Sequence, residues 1–326
     1  MKDQQTQISK AGIVPVFLFP TKKCMQTIEQ LKQQFAIAER LDFSMGPSEC
    51  VMIDIDTPCA KARIALQGAQ VLSYRSADAL HDLFFLSRLT RYGNRRAIRG
   101  GVPVCWPWFG DDPSGKGRPA HGFARNRVWD LVDVQQTEND GIKLTLSLTP
   151  DPHDQPLWHC SYALQMVLEI DEQLKFSLTT KNLDTESFVI SQALHTYFAV
   201  SNIEKTQVRG LDNRHYLDKV ENFREKLQQG EIFFQGETDR VYLNSPDKLF
   251  IEDTGWSRRI VVESSGSNTT VVWNPWERVK ALKDMTDDAY QYFVCVETAN
   301  AANDSVSLSP GESHTISASY RIMPMA

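Results

Sequence analysis

Hydrophobic and polar residues alternate with a period of two over much of the chain from Cys50 onward. Strict alternation of this kind predicts β-strands with one buried face. A polar turn containing Asn139, Asp140 and Gly141 joins two of the segments, which is typical of a β-hairpin. Segments with this pattern lie at 51–56, 62–67, 69–75, 80–87, 128–134, 142–149, 161–170, 174–183, 188–200, 206–211, 249–253, 258–264, 269–274, 292–299 and 314–322.

One segment before these strands has helical spacing instead. Ile28, Leu31 and Phe35 recur on one face, which predicts an amphipathic helix from Met25 to Ala38. The earlier apolar run VPVFLF (14–19) is too short for a membrane span and lacks a small-residue cleavage site. We expect residues 1–45 to form an N-terminal extension and helix that packs on the body of a cytoplasmic protein.

Many short strands without alternating long helices predict an all-β fold, a large antiparallel β-sandwich with a short N-terminal helix. The 326 residues contain no Pro/Ser-rich linker and no repeat, so we expect a single domain over 1–326. The net charge of −6 gives no support for a nucleic-acid partner or an anionic membrane. The six cysteines show no CxxC pair and no zinc spacing, which indicates free thiols in a reducing compartment and no metal site.

Several candidate binding residues lie in the segment 99–129, which is rich in glycine, proline and tryptophan. The glycines and prolines impose irregular backbone. The segment also carries Arg99, Arg125 and His121. Rigid loops, flat apolar faces and cations suit a pocket for a small anionic molecule, in which guanidinium groups bind a phosphate. The alternatives are a connection whose aromatic residues fill core, and arginines that pair with Asp111 or Asp112.

Two residues in later predicted strands could transfer protons. His195 shares a face with Ala193 and Tyr197 by the period of two, and Glu297 lies in an apolar strand. Burial would raise the pKa of this carboxylate toward the range of a general base near neutrality. A His–Glu pair across a concave surface supports proton transfer without a metal, whereas the alternative for His195 is a structural histidine.

Two further residues are weaker candidates. Asp239 lies where a loop enters a short strand, and the alternative is an aspartate that caps a turn. Trp273 offers a flat face to a sugar ring, although such aromatic residues usually fill core. The chain contains no GxSxG, GxxxxGK or GxGxxG motif, which removes support for those chemistries.

Five motifs in order carry a resemblance to a known family: IRGGVPVCWPWFG, AHGFARN, ALHTYF, TDRVYLN and FVCVETA. They resemble the glucose-6-phosphate 1-epimerase group of the aldose 1-epimerase superfamily, from about Ala65 to about Ala299. The resemblance implies the galactose mutarotase-like antiparallel supersandwich, which agrees with the strand pattern. One local departure is the segment 274–285, where Trp276 replaces a residue that is often smaller and could reshape a pocket wall.

The resemblance also implies a role for each matching residue. His195 would be the general acid and Glu297 the general base, and a carboxylate such as Asp239 would favour the His195 imidazolium. Asp239 would bind substrate, and Arg99 and Arg125 would line the substrate and phosphate site. His121 matches the second sugar-contacting histidine of the branch that acts on unphosphorylated sugars.

The implied reaction interconverts the α and β anomers of hexose 6-phosphates, chiefly glucose 6-phosphate, by ring opening and reclosure without a cofactor. The expected partner is a small hexose phosphate, and the expected state is a monomer or weak homo-oligomer. Three alternatives remain open: an aldose 1-epimerase for unphosphorylated sugars, a non-catalytic carbohydrate-binding sandwich and a glycoside hydrolase. The last usually needs two carboxylates, and only Glu297 is a good candidate.

Overall fold

The computed structural model describes residues 17, 26–93, 96–151, 154 and 156–325. The predicted helix is confirmed as α1 (Ile28–Phe35), and it begins at a capping box in which the Thr27 side chain accepts a hydrogen bond from the Gln30 N–H. Leu31 and Phe35 are its buried face. The helix ends earlier than predicted because the backbone becomes extended at Ala36 and leads into the first strand. Most of the run at 14–19, and the start of the predicted helix at Met25, lie outside the described residues.

The described residues form four sheets, and every pairing between their strands is antiparallel. A four-stranded sheet follows chain order, with strands β1 (Leu41–Met45), β2 (Val51–Asp56), β3 (Ala60–Ala65) and β4 (Gln70–Ser76). The strands of the two main sheets and of a small ribbon are, in chain order, β5 (Val104–Cys105), β6 (Asp130–Gln136), β7 (Ile142–Leu148), β8 (Tyr162–Ile170), β9 (Leu174–Asn182), β10 (Phe188–Ile190), β11 (Gln192–Leu194), β12 (Tyr197–Ala199), β13 (Thr206–Arg209), β14 (His215–Asp218), β15 (Arg224–Leu227), β16 (Ile232–Phe233), β17 (Thr238–Leu243), β18 (Lys248–Asp253), β19 (Arg258–Ser265), β20 (Thr269–Asn274), β21 (Phe293–Asn300), β22 (Val306–Leu308) and β23 (Ser313–Pro324).

The two main sheets pack face to face. The eight-stranded sheet has the order β15-β14-β17-β20-β21-β11-β5, with β12 also paired to β21, and the nine-stranded sheet has the order β16-β13-β18-β19-β23-β9-β8-β7-β6. Strands β10 and β22 form the ribbon. Phe198 and Val296 from the first sheet join Phe176, Ile316 and Tyr320 from the second in one buried core. The prediction of an antiparallel β-sandwich is therefore confirmed.

Two strand predictions are wrong in detail. Residues 80–87 form no strand and make only isolated bridges at Phe84 and Leu86. Residues 188–200 divide among β10, β11 and β12, and β10 belongs to the ribbon. The break between β11 and β12 falls at His195 and Thr196, because the Thr196 N–H donates back to the carbonyl of Leu194 at 2.9 Å instead of to a neighbouring strand. His195 thus lies between two strands and not inside one.

The pattern failed to predict several strands that carry many charged residues. In β14 and β15 the hairpin is supported by side-chain ion pairs, with Lys226 Nζ 2.9 Å from an Asp218 oxygen and His215 Nδ1 2.8 Å from a Glu225 oxygen. Such cross-strand pairs stabilise a sheet without the alternation of apolar residues that marks a strand in the sequence. Strands β1, β5, β16 and β22 were also absent from the predicted set, whereas β17 is the short strand expected at Asp239.

Five of the six cysteines are described, namely Cys50, Cys59, Cys105, Cys160 and Cys295, and all five are free thiols. The prediction of free thiols is confirmed for these positions, while Cys24 lies outside the described residues. Within the described part of the chain, none of the helices has the length and apolar character needed to cross a membrane.

Candidate active site

The candidate residues gather on the face of the eight-stranded sheet that points away from the sandwich core. Along β21 alternate residues point to this face, among them Cys295 and Glu297. The cross-strand register places Cys295 opposite Trp273 of β20 on one side and Tyr197 of β12 on the other. Asp239 of β17 lies opposite Trp273. Four strands thus bring residues that are far apart in the sequence to one surface.

His195 and Glu297 meet on this face as a buried pair. His195 Nδ1 lies 3.4 Å from Glu297 Oε1, and the two side chains are 9% and 1% exposed. The His195 ring stacks on Tyr197 with centroids 4.8 Å apart and an angle of 6° between the planes. Trp273 meets the same ring edge-on, at 5.8 Å. Packing against Tyr197 and Trp273 fixes the orientation of the His195 imidazole toward the carboxyl group of Glu297.

Burial favours the uncharged form of both groups. It raises the pKa of Glu297 well above the ordinary 4.5, and the nearby Asp239 adds to this effect. It lowers the pKa of His195 well below the ordinary 6.5, and the cationic neighbours Arg125 and Arg99 act in the same direction. The predicted rise for Glu297 is confirmed. The expectation that Asp239 favours a His195 imidazolium finds no support, because burial lowers the pKa of His195 and the neighbouring His121, Arg125 and Arg99 lower it further.

His121 approaches the pair from the central loop. Its ring centroid lies 5.5 Å from that of His195, and its Nδ1 accepts a hydrogen bond from the Gly110 N–H at 3.3 Å. Burial and nearby cations lower the pKa of His121 to about 3. His121 is therefore neutral with its proton on Nε2, which makes it a hydrogen-bond donor.

The local backbone explains how His121 reaches this place. The next residue, Gly122, has a φ of +68°, and a Cβ there would lie 1.9 Å from the carbonyl oxygen of Trp106. Only glycine allows so close an approach of the two chain segments. The N–H of Phe123 then donates to the same Trp106 oxygen at 3.0 Å, which holds the loop against the sheet.

Arg99 lies beside the stacked ring of Tyr197. Its Nη1 donates to the Tyr197 hydroxyl at 3.2 Å, and its Nε donates to Asp284 Oδ2 at 3.1 Å. The predicted alternative partners of the arginines were Asp111 and Asp112, but Asp112 binds Arg118 instead. Asp284 neutralises part of the charge of Arg99 and connects this arginine to the segment 274–285.

Arg125 makes fewer side-chain hydrogen bonds to the described residues than Arg99 does. Its Nη2 donates to the carbonyl of Ala120 at 2.9 Å. Its Nε is buried and has no hydrogen-bond partner among the residues that the structure describes. A buried guanidinium donor without a partner is costly, so it indicates a place where a ligand oxygen would be bound.

Asp239 forms an ion pair that the sequence did not predict. Its Oδ2 lies 2.9 Å from Lys219 Nζ, with both side chains partly buried. The N–H of Lys219 also donates to the carbonyl of Asp239 at 2.8 Å, which fixes the register between the end of β14 and β17. Burial still raises the pKa of Asp239, although Lys219 opposes the rise.

The candidate Trp273 and the nearby Trp276 have different surroundings. Trp273 packs between rings of the site, edge-on to His195 and at 5.9 Å from Tyr197. Trp276 packs on Tyr290 with centroids 5.1 Å apart, at the edge of the main core. The segment that departs from the family pattern therefore reaches the site through Asp284, by its bond to Arg99.

Four residues around the site were not assigned a role from the sequence: Tyr197, Lys219, Asp284 and Cys295. For Tyr197 a signal exists, because it shares a face with His195 two residues away. Cys295 stands in the same relation to Glu297. Lys219 and Asp284 reach the site through pairings between distant segments, so no local pattern marks them.

This arrangement can move protons at one end of a small polar molecule. It offers one acid–base pair, a neutral histidine donor and the cations Arg99, Arg125 and Lys219 around them. General acid–base catalysis requires such groups within hydrogen-bonding reach of the reacting atoms. Opening and closing a hemiacetal needs one proton removed and one supplied, which matches the pair.

Comparison with known proteins agrees with this chemistry. Residues 52–321 match the family model described as aldose 1-epimerase. A protein of Escherichia coli K12, provisionally named glucose-6-phosphate 1-epimerase, is 40% identical over 256 residues, which cover 78% of this chain and 84% of that protein. A Cenchrus ciliaris protein with the same provisional name is 36% identical over 293 residues, or 87% of this chain and 86% of that protein.

A solved structure extends the similarity to the fold. The crystal structure of a Salmonella typhimurium protein, provisionally identified as a mutarotase, superposes with a TM-score of 0.82 at 32% identity and covers 89% of this chain and 96% of that one. The family match spans most of the sandwich and includes both His195 and strand β21, which carries Glu297. The chain belongs to the aldose 1-epimerase family.

Proposed function

We propose that this protein interconverts the α and β anomers of hexose 6-phosphates, chiefly glucose 6-phosphate. The observation that carries the proposal is the buried His195–Glu297 pair beside an arginine, Arg125, whose Nε lacks a partner among the described residues. The pair supplies the acid and base, and the guanidinium suits a phosphate. The names of the relatives from Escherichia coli and Cenchrus ciliaris support the phosphorylated substrate.

In the proposed reaction Glu297 removes the proton from the C1 hydroxyl while His195 gives a proton to the ring oxygen. The bond between C1 and the ring oxygen breaks and leaves an open-chain aldehyde. Rotation about the C1–C2 bond presents the other face of the carbonyl. The ring oxygen then attacks that face, His195 takes back its proton, and Glu297 returns its proton to the C1 oxygen.

The phosphate would also help to prepare the pair. Burial, together with His121, Arg125 and Arg99, lowers the pKa of His195, and burial raises the pKa of Glu297, so the single proton of the pair favours Glu297. A bound phosphate dianion would offset the positive charges of Arg125 and Arg99 and thereby favour the His195 imidazolium, the form that protonates the ring oxygen. Substrate charge would thus assist the general acid.

The test of the proposal compares two sugars. Freshly dissolved α-glucose 6-phosphate and α-glucose are each followed by polarimetry with and without the protein. We expect a much larger kcat/KM for the phosphorylated sugar. Equal values would favour an aldose 1-epimerase for unphosphorylated sugars, and acceleration of neither would favour a carbohydrate-binding sandwich without catalysis.

Replacement of the arginines should change specificity more than chemistry. Arg125→Ala is expected to raise KM for glucose 6-phosphate about 10- to 100-fold, since one charge-assisted hydrogen bond contributes about 1.5–3 kcal/mol. Arg99→Ala should act in the same direction but less strongly, because Asp284 already neutralises part of its charge. Steady-state kinetics with both sugars measures the effect.

The matched control is Arg118→Ala, an arginine of the same loop that is bound to Asp112 and to the carbonyl of Leu157. It should affect the two sugars alike. Equal weakening of both sugars by Arg125→Ala and Arg99→Ala would instead assign these arginines to the sugar or to the fold.

The pH dependence should be broad. Below the lowered pKa of His195 the pair holds two protons and lacks a base, and above the raised pKa of Glu297 it holds none and lacks an acid. Between these limits one proton remains on the pair. We expect kcat/KM to stay level over a wider range than the interval between the ordinary values of 4.5 and 6.5. A narrow optimum confined to that interval would contradict the shifted pKa values.

A further inference from the structure

Cys295 is a buried thiol that the proposed reaction does not use. It lies two residues before Glu297 on β21 and points to the same face of the sheet. Ligand atoms of His195, Cys295 and Glu297 all lie within 4.8 Å of one another. The cluster thus joins a nitrogen, a sulfur and an oxygen donor inside the candidate active site.

Two of these side chains have buried polar atoms without a hydrogen-bond partner among the described residues. His195 Nδ1 and Glu297 Oε2 are buried and make no hydrogen bond to any residue in the described part of the chain. The residues themselves are 7% and 1% exposed. Buried polar atoms of this kind normally bind a partner, and both belong to the same cluster as the thiol.

The donor set selects a class of cation. Thiolate and imidazole together favour zinc and similar soft metals, whereas magnesium and calcium require oxygen ligands. Zinc bonds of about 2.0–2.3 Å in a tetrahedron place neighbouring ligand atoms about 3.3–3.8 Å apart. The separation of 3.4 Å between His195 Nδ1 and Glu297 Oε1 already meets this requirement. The rest of the cluster, at up to 4.8 Å, would need to contract by about 1 Å.

We propose that His195, Cys295 and Glu297 bind a thiophilic divalent cation such as Zn²⁺, and that the bound cation inhibits the isomerase. On binding, the thiol and the carboxyl group release their protons to solvent, so one thiolate and one carboxylate balance the two positive charges. The cation then occupies the two side chains that must exchange protons with the sugar. The inhibition, but not the binding, rests on the proposed function.

Binding is tested without reference to activity. Wild-type protein is titrated with Cd²⁺, and the sulfur-to-metal charge-transfer absorbance is recorded in the ultraviolet. The matched control is Cys105→Ala, because Cys105 is equally buried and lies on the same sheet but outside the cluster. We expect a band that persists in Cys105→Ala and is lost in Cys295→Ala. A band of unchanged size in Cys295→Ala, or no band in the wild type, would overturn the proposal.

Inhibition is then measured with Zn²⁺ during anomer interconversion. We expect inhibition that a chelator reverses, and at least a tenfold higher inhibitory concentration for Cys295→Ala, with basal activity retained. Cys295→Ser keeps the size of the side chain and provides a second variant if the alanine variant does not fold. A cadmium band in a protein without mutarotase activity would support the metal site and contradict the proposed function. If the enzyme is active and Cys295→Ala and Cys295→Ser are as sensitive to zinc as the wild type, the proposal that this site causes inhibition is rejected.

Discussion

Glu297→Gln is expected to lower kcat/KM for anomer interconversion of glucose 6-phosphate by at least about 100-fold, since positioned general acid–base groups contribute about 10²–10⁴-fold. Glutamine has nearly the same shape but cannot take the proton from the C1 hydroxyl. The buried position allows few other groups to replace it, because the side chain is 1% exposed. Polarimetry with purified protein gives the rate.

The stability of this variant separates a catalytic role from a structural one. Because folding raises the pKa of Glu297 above 4.5, the folded state binds more protons than the unfolded chain. The stability contributed by this group is therefore complete below pH 4.5 and is lost as pH rises through the raised pKa. Glutamine carries no such dependence, so Glu297→Gln should melt at or above the wild-type temperature at neutral pH.

The matched control is Glu263→Gln, which makes the same change at an exposed position on β19 in the other sheet. It should leave the rate unchanged. Near wild-type mutarotation by Glu297→Gln would refute the role of Glu297 as the base, and loss of both activity and thermal stability would assign the residue to the fold.

His195→Asn should cause a loss of similar size, again at least about 100-fold in kcat/KM. Asparagine is small enough for the same pocket but cannot carry the proton to the ring oxygen. If His195 and Glu297 act as one unit, the double variant should be about as slow as the slower single variant. The rates of the wild type, the two single variants and the double variant, measured under identical conditions, form the double-mutant cycle.

His121→Asn is the matched comparison for this variant, because His121 is the neighbouring histidine, with ring centroids 5.5 Å apart. We expect this neutral donor to contribute to sugar binding, so the expected effect is mainly on KM. Fully additive losses for His195→Asn and Glu297→Gln would contradict a shared proton. Wild-type activity in His195→Asn would leave this histidine with a structural role.

Much of the fold could be predicted because its strands follow the simplest pattern of burial. Val51–Asp56 and Thr269–Asn274 were predicted at the bounds that the structure shows. The predictions failed where other contacts replace the hydrogen bonds between strands or the alternation of apolar residues. The Thr196 N–H donates back to the carbonyl of Leu194 and interrupts a continuous apolar run, while ion pairs hold the charged hairpin of β14 and β15.

For the site, local motifs indicated the residues but not their pairings. The sequence pattern placed His195 and Tyr197 on one face, and the structure adds their stacking. The ion pair of Asp239 with Lys219 depends on the register of β14 against β17. Arg99 meets Asp284 across 185 positions of the chain, a contact that no local pattern contains.

The most direct measurement is exchange NMR on an equilibrated solution of glucose 6-phosphate. Exchange cross-peaks between the α and β anomeric protons are recorded with wild-type protein, with Glu297→Gln and without protein. Cross-peaks that appear with the wild type and disappear with Glu297→Gln are the predicted result. Spectra that are the same in all three samples would contradict the assignment of this protein as a hexose-phosphate mutarotase.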